Sequence, residues 1–239
     1  MTVFHLSPEV GEAFPGTLIA LVTAEGVRGE RPWPEPAAAL DAMEAEVAAG
    51  SWLPADEHDP RLASWHAAYR AFGTNPRRER PSVDALGRRL ARKGALPRIN
   101  PAVDTYNTVS VRHGLPAGAF DLDAVAGDVT IRFATGAGAA TEEFTPLGEP
   151  GTVEHPRPGE VVYADATSVL TRHWNHRDAH RTRVTPASAR VAFLMETVDA
   201  ARDGDLLREA AGQLRDWIAP HADDVHVRYL SPALPHTTA

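Results

Sequence analysis

Four polar side chains that could orient a ligand or a water, Asp104, Tyr106, Asn107 and Ser110, fall within two turns of one predicted helix. Asp104, Asn107 and Ser110 follow one another at intervals of three, so they form a single polar stripe. Dipped into a cleft, such a stripe could hold substrate; it could equally tie the helix to a neighbouring loop. A second group, His173, His176 and His180, would present metal ligands on one face if the segment were helical. Arg172, Arg177 and Arg181 crowd the same run and oppose a dication, so no metal is assigned. No Gly-x-Ser-x-Gly turn occurs, and Ser110 sits mid-helix, a poor place for a nucleophile. Neither Gly-x-Gly-x-x-Gly nor a P-loop is present, so no nucleotide cofactor is expected.

Charge is unevenly placed. Residues 61–93 carry nine basic against two acidic side chains, whereas residues 1–60 carry eleven acidic against two basic, within a net charge of -8. Arg77, Arg78, Arg80, Arg88, Arg89 and Arg92 gather on one predicted helix and the Pro-bounded loop before it. They read as a solvated face or as contacts to phosphates, each arginine offering a planar fork of donors. There are no cysteines, which excludes disulfides, thiolate nucleophiles and Cys-ligated zinc. With 43% hydrophobic and 23% charged residues the composition is that of a folded globular chain. No apolar run approaches the roughly 18 residues a membrane span needs, so no membrane partner is expected. The first ten residues lack an export signal, which makes the cytoplasm the expected location. Lys93 is the only lysine among many Arg, Ala and Pro, a pattern of GC-rich, bacterial coding.

These residues need elements to hold them. The β-branched, apolar run 17–23 predicts a buried strand. Residues 37–49 and 60–72 predict helices, and Ser82 can cap a third over 83–93. Asn100 as N-cap, Pro101 in the first turn and Gly114 beyond the end frame a fourth helix over 101–112, which carries the polar stripe. The period then changes, and 129–134, 160–164, 168–171 and 190–196 predict strands, followed by an amphipathic helix over 200–218 and a loose tail after Ser231. The expectation is an α+β fold with a mixed or antiparallel sheet flanked by helices. Residues 1–60 are a strand and a helix integrated with the main unit at 61–199, and 200–239 are a helix and tail.

Several pieces occur in one order: Tyr69-x2-Phe72-Gly73, Arg80-Pro81-Ser82-Val83-x-Ala85-Leu86-x-Arg88-Arg89, Val103-Asp104-x-Tyr106-Asn107-x2-Ser110, Leu115-Pro116-x-Gly118-x2-Asp121-Leu122-Asp123, Pro158-Gly159-Glu160-Val161-Val162-Tyr163-x-Asp165 and Arg172-x-Trp174-Asn175-x-Arg177. On them the chain resembles, over about residues 65 to 198, the B3/B4 editing domain of the phenylalanyl-tRNA synthetase β subunit, and more closely the free-standing B3/4-domain proteins of bacteria. The resemblance implies a single B3/B4-like domain that acts on tRNA or aminoacyl-tRNA in trans. The reaction would be water attack on the ester of a mischarged amino acid, with no metal or cofactor. The other class it allows is a non-catalytic module binding tRNA or a small anion. It assigns catalysis to Asn107, Arg172, Asn175 and Arg177, and substrate binding to Tyr106, Ser110, Gly118, Asp121, Glu160 and Trp174. Arg77, Arg78, Arg80, Arg88, Arg89 and Arg92 would meet tRNA. Two positions depart from the synthetase pattern. Its editing His is Gly118 here, and its segment with the tyrosine-reading Glu is Arg172–Arg177, where Asp178 is the nearest acid that could substitute.

Overall fold

The computed structural model describes residues 2–136, 138 and 142–239. Its centre is a strand buried on both faces, β2 (Leu18–Glu25), whose near-continuous apolar run predicts that placement. Alternate side chains of a strand point to opposite faces. Leu18, Ala20 and Val22 therefore enter one core, with Val103, Val109, Leu207 and Leu214 from helices. Ile19 and Leu21 enter a second, with Trp65, Tyr69, Val129 and Ile131. Four antiparallel strands form this sheet, in the order β3 (Ala117–Asp121), β8 (Arg190–Thr197), β2 and β9 (Asp224–Leu230).

A second, mixed sheet shares the other side of that second core. Its order is β10 (His236–Thr238), β1 (Val3–Leu6), β4 (Val129–Phe133), β5 (Val161–Ala164), β6 (Val169–Arg172) and β7 (Arg177–Asp178). Among the described residues only the β1–β4 pair is parallel. The architecture is α+β, as the sequence predicts, but with two sheets rather than one. The tail after Ser231 is not loose: β10 pairs with β1, and Leu6 N–H and Ala239 N–H bond to Pro235 O and Thr2 O, both at 2.8 Å. Strand β9, unforeseen, completes the other side of β2.

Among the described residues six α-helices flank the sheets: α1 (Pro8–Ala13), α2 (Pro34–Ala49), α3 (Pro60–Ala71), α4 (Ser82–Lys93), α5 (Pro101–His113) and α6 (Ala200–Ile218). No helix among the described residues is long and apolar enough to cross a membrane. Helix α5 begins where its caps predict, with Asn100 Oδ1 accepting from Val103 N at 3.0 Å and Pro101 in the first turn. Gly114 ends it at φ 66°, a left-handed conformation that glycine adopts without Cβ strain. Ser82 does not cap α4; it lies in the first turn and donates its hydroxyl to Ala117 O at 3.2 Å, fixing α4 against β3.

Helix α4 is organised by one buried charge. Asp84 is 0% exposed and accepts from Arg88 Nε at 2.7 Å and Arg80 Nη1 at 3.0 Å, with His66 Nε2 at 3.1 Å. Burial alone would raise its pKa, but these partners hold the carboxyl below the usual aspartate value.

Candidate functional site

Where α5 passes the edge strand β3, a cleft of about 300 Å³ opens between the helix, the tip of β7 and the segment 183–186. Tyr106 and Asn107 project from α5 into it, and Ala119 of β3 and Asp178 of β7 also line it. Ile99 and Leu147 form an apolar mouth, 58% and 45% exposed.

The polar stripe of α5 divides. Asn107 is 7% exposed, and its amide, at the wall of the cleft, makes no hydrogen bond among the described residues. Tyr106 rests edge-on against Phe193, ring centroids 6.1 Å apart, and burial raises its phenol pKa, with the charges of Asp178 and Asp104 adding to the effect. Asp104 instead accepts from Ile99 N at 2.8 Å and anchors the loop entering the helix. Ser110 is fully buried and donates to Leu115 O at 2.7 Å, closing the helix end.

Asp178 reaches the cleft through strand alternation. Thr171 pairs with Asp178 and Arg172 with Arg177, so the two β7 side chains leave on opposite faces. Asp178 Oδ1 accepts from Thr171 Oγ1 at 2.9 Å, and no cation pairs with the carboxylate among the described residues. Burial raises its pKa to about 6, against the Thr171 bond, which lowers it. Gly118 faces it: a Cβ there would stand 3.8 Å from Asp178 Oδ2.

Behind Asp178 and Gly118 a small cavity of about 20 Å³, room for one water, is lined by Trp174, Asn175 and Glu196. Asn175 Nδ2 donates to Glu196 Oε2 at 2.6 Å and Asn175 Oδ1 accepts from Tyr69 O–H at 2.8 Å; Tyr163 donates to the other Glu196 oxygen. Burial pushes Glu196 to about 7. Trp174 is 0% exposed and packs edge-on against Phe14 and Trp65 at 5.0 and 5.3 Å, in the core between the sheets.

The arginines assigned to catalysis are committed elsewhere. Arg172 grips Glu160 through Nε and Nη2 at 2.9 and 2.7 Å and Glu154 through Nη1 at 2.8 Å. Arg177 pairs with Glu149 at 2.5 Å and Glu154 at 3.4 Å. Asp121 accepts from Ser188 Oγ at 2.6 Å and Asp123 N at 3.0 Å. The structure thus brings Tyr106, Asn107 and, behind the floor, Gly118 together. It holds Asn175 and Trp174 in the core, Ser110 and Asp121 in local hydrogen bonds, and Arg172, Arg177 and Glu160 in ion pairs.

Of the six arginines assigned to tRNA, Arg77, Arg78, Arg89 and Arg92 are exposed, while Arg80 and Arg88 are held by Asp84. The histidine run is not helical: His173 and Trp174 form a turn at φ 48° and 67°. Among the described residues no group of three His, Asp or Glu side chains could hold a metal ion. Sequence reading noted Asp178 only as the nearest acid, and missed the cleft mouth and Arg183, whose Nη1 donates to His180 O at 2.6 Å at the rim.

No curated protein matches the chain. A crystal structure of an N-terminal fragment of the phenylalanyl-tRNA synthetase β subunit from Pyrococcus horikoshii is similar at 14% identity with a TM-score of 0.47, over 94% of this chain and 50% of that one, so the chain spans about half the fragment's length. The family model of the B3/4 domain matches residues 64–211, well over half of the sequence, and the chain belongs to that family.

Proposed function

We propose that the protein is an aminoacyl-tRNA hydrolase, removing a mischarged amino acid by water attack on its ester in the cleft between α5 and β7. The observation that carries this reading is the pairing, in one cleft, of an Asp178 carboxylate without a cationic partner and an Asn107 amide without a protein partner. A base with a pKa of about 6 is ionised at neutral pH and still basic enough to take a proton from water. Water adds to the carbonyl carbon as Asp178 accepts its proton. The Asn107 amide N–H donates to the oxyanion that forms. Collapse breaks the bond to the ribose oxygen, which recovers the proton from Asp178. Ile99, Leu147 and Pro186 supply an apolar wall for the amino-acid side chain or the terminal base, and Arg183 supplies a positive rim.

The reading is tested by incubating the full chain with tRNAs charged with different amino acids. At least one ester should be released faster than in buffer, and Asn107→Ala should slow release about 100-fold, the scale of one lost oxyanion donor. Stability should stay within about 1 kcal/mol, because no protein partner is stranded. Release no faster than buffer for every amino acid sinks the reading; tRNA binding without turnover would favour a binding module.

A further inference from the structure

On the other side of the β6–β7 hairpin lies a second hollow, of about 290 Å³, between the loop after α3 and the segment 157–160. Thr74, Arg78, Arg157, Arg172 and His173 line it, together with the carboxylates of Glu79 and Glu160. We propose that this hollow binds a phosphate group, held by the guanidinium groups of Arg78 and Arg157 and by Nε2 of His173.

Arg78 and Arg157 differ from the neighbouring arginines. Arg80, Arg88, Arg172 and Arg177 are each held by a carboxylate, whereas neither of these two guanidinium groups has a hydrogen-bond or ion-pair partner among the described residues. The ring of His173 is fixed and only 8% exposed. Its Nδ1 meets Thr74 Oγ1 at 2.8 Å, and Nε2 has no partner among the described residues. An unpartnered ring nitrogen in the wall of a polar hollow marks where a ligand atom fits.

The wall is built before any ligand arrives. His173 and Trp174 hold consecutive left-handed conformations that non-glycine residues adopt at a cost. The turn is stitched to the loop after α3 by the Thr74–His173 bond and by His176 Nδ1 on Arg80 O at 2.8 Å, and to the start of α4 by Ser82 N–H to Asn175 O at 3.0 Å. Glu160 is saturated by Arg172 and by the backbone N–H groups of His173 at 3.0 Å and Arg157 at 3.2 Å. Arg78 and Arg157 therefore outweigh Glu79 at the open side. Burial and the charges of Arg172, His176 and Arg157 push the His173 pKa to about 4, against the pull of Glu160, so the ring is neutral in the empty hollow. A bound dianion reverses that balance and favours a proton on the ring.

Phosphate could come from the RNA backbone, in which case the inference rests on the proposed activity, or from a small phosphate ester, in which case it does not. Inorganic phosphate is titrated into the full chain, and into Arg78→Gln and Arg157→Gln, while the His173 ring is followed by NMR. The expected result is a saturable His173 response, a rise in its titration midpoint, and binding about tenfold weaker in each variant, the scale of one charge-assisted hydrogen bond. Both arginines are exposed, so both variants should fold. A weaker tRNA affinity in the same variants assigns the phosphate to RNA; an unchanged tRNA affinity beside a phosphate response assigns it to a small ester. No saturable response, or equal phosphate affinities in wild type and both variants, overturns the inference. Loss of ester hydrolysis in Asp178→Asn with the phosphate response intact would leave it standing.

Discussion

Gly118 and Asp178 face each other across the gap between the edge strands of the two sheets, with 3.8 Å between the place of an absent Cβ and the Asp178 carboxylate. Each sheet thus contributes one wall of the cleft floor, and the size of residue 118 sets how much room the acid has.

Gly118→Ala should fold, since the added methyl meets only the Asp178 oxygens and at ordinary contact distance. Alanine in a strand also has less unfolded-state freedom to lose, so stability should stay within about 1 kcal/mol of wild type. The methyl dries the carboxylate, and the pH at which ester hydrolysis reaches half its maximum should rise. A thermal melt with a pH–rate profile checks both, and an unchanged profile would mean that residue 118 does not set the environment of Asp178.

The basic helix separates neighbouring arginines into two roles. Arg88 is tied to buried Asp84, and Arg89, next to it, is exposed with no partner among the described residues. Arg89→Gln should lower the salt slope of tRNA binding by about one, as for one phosphate contact, and leave stability unchanged. Arg88→Gln should do the reverse, costing about 1 to 2 kcal/mol in urea unfolding, because Arg80 and His66 still partly neutralise Asp84. Identical salt slopes for wild type and Arg89→Gln would remove this face from tRNA contact.

Acids with shifted pKa values also give the protein a pH signature. Asp178 and Glu196 have folded pKa values raised to about 6 and about 7, so the native state holds protons that the unfolded chain has already released. Stability should therefore fall as pH rises from about 4 to 7. Asp84 works in the opposite direction: its folded pKa is lowered, so its contribution is present above about pH 4 and is lost as pH falls through the folded value. In urea melts, Asp178→Asn should gain on wild type by about 2 kcal/mol between pH 4 and 7. A gap independent of pH would show that Asp178 is not held in an environment that favours its neutral form.

The sequence discloses the parts whose signals are local. Asn100, Pro101 and Gly114 frame α5 at its observed limits to within one residue, and the apolar run of β2 marks a strand buried on both faces. Strand β3 was missed because Ala117, Gly118 and Ala119 have little strand preference of their own; β8, some seventy residues on, makes them a strand. Strands β1 and β10 depend on each other in the same way, from opposite ends of the chain. The site was half legible. Asn107 was singled out from its stripe, but nothing local says that Arg172 is already spent on Glu160, twelve residues earlier, or that in a two-residue strand Asp178 rather than Arg177 faces the cleft.

The most direct measurement is the rate at which Asp178→Asn hydrolyses an aminoacyl-tRNA ester that the wild type releases, across pH 4.5 to 8. If Asp178 is the base, wild-type activity rises with an apparent pKa near 6 and then levels, while the variant is slower by about 100- to 10,000-fold and loses that transition. A variant that keeps the wild-type rate and the same pH dependence contradicts the assignment of this cleft as the place where water is activated.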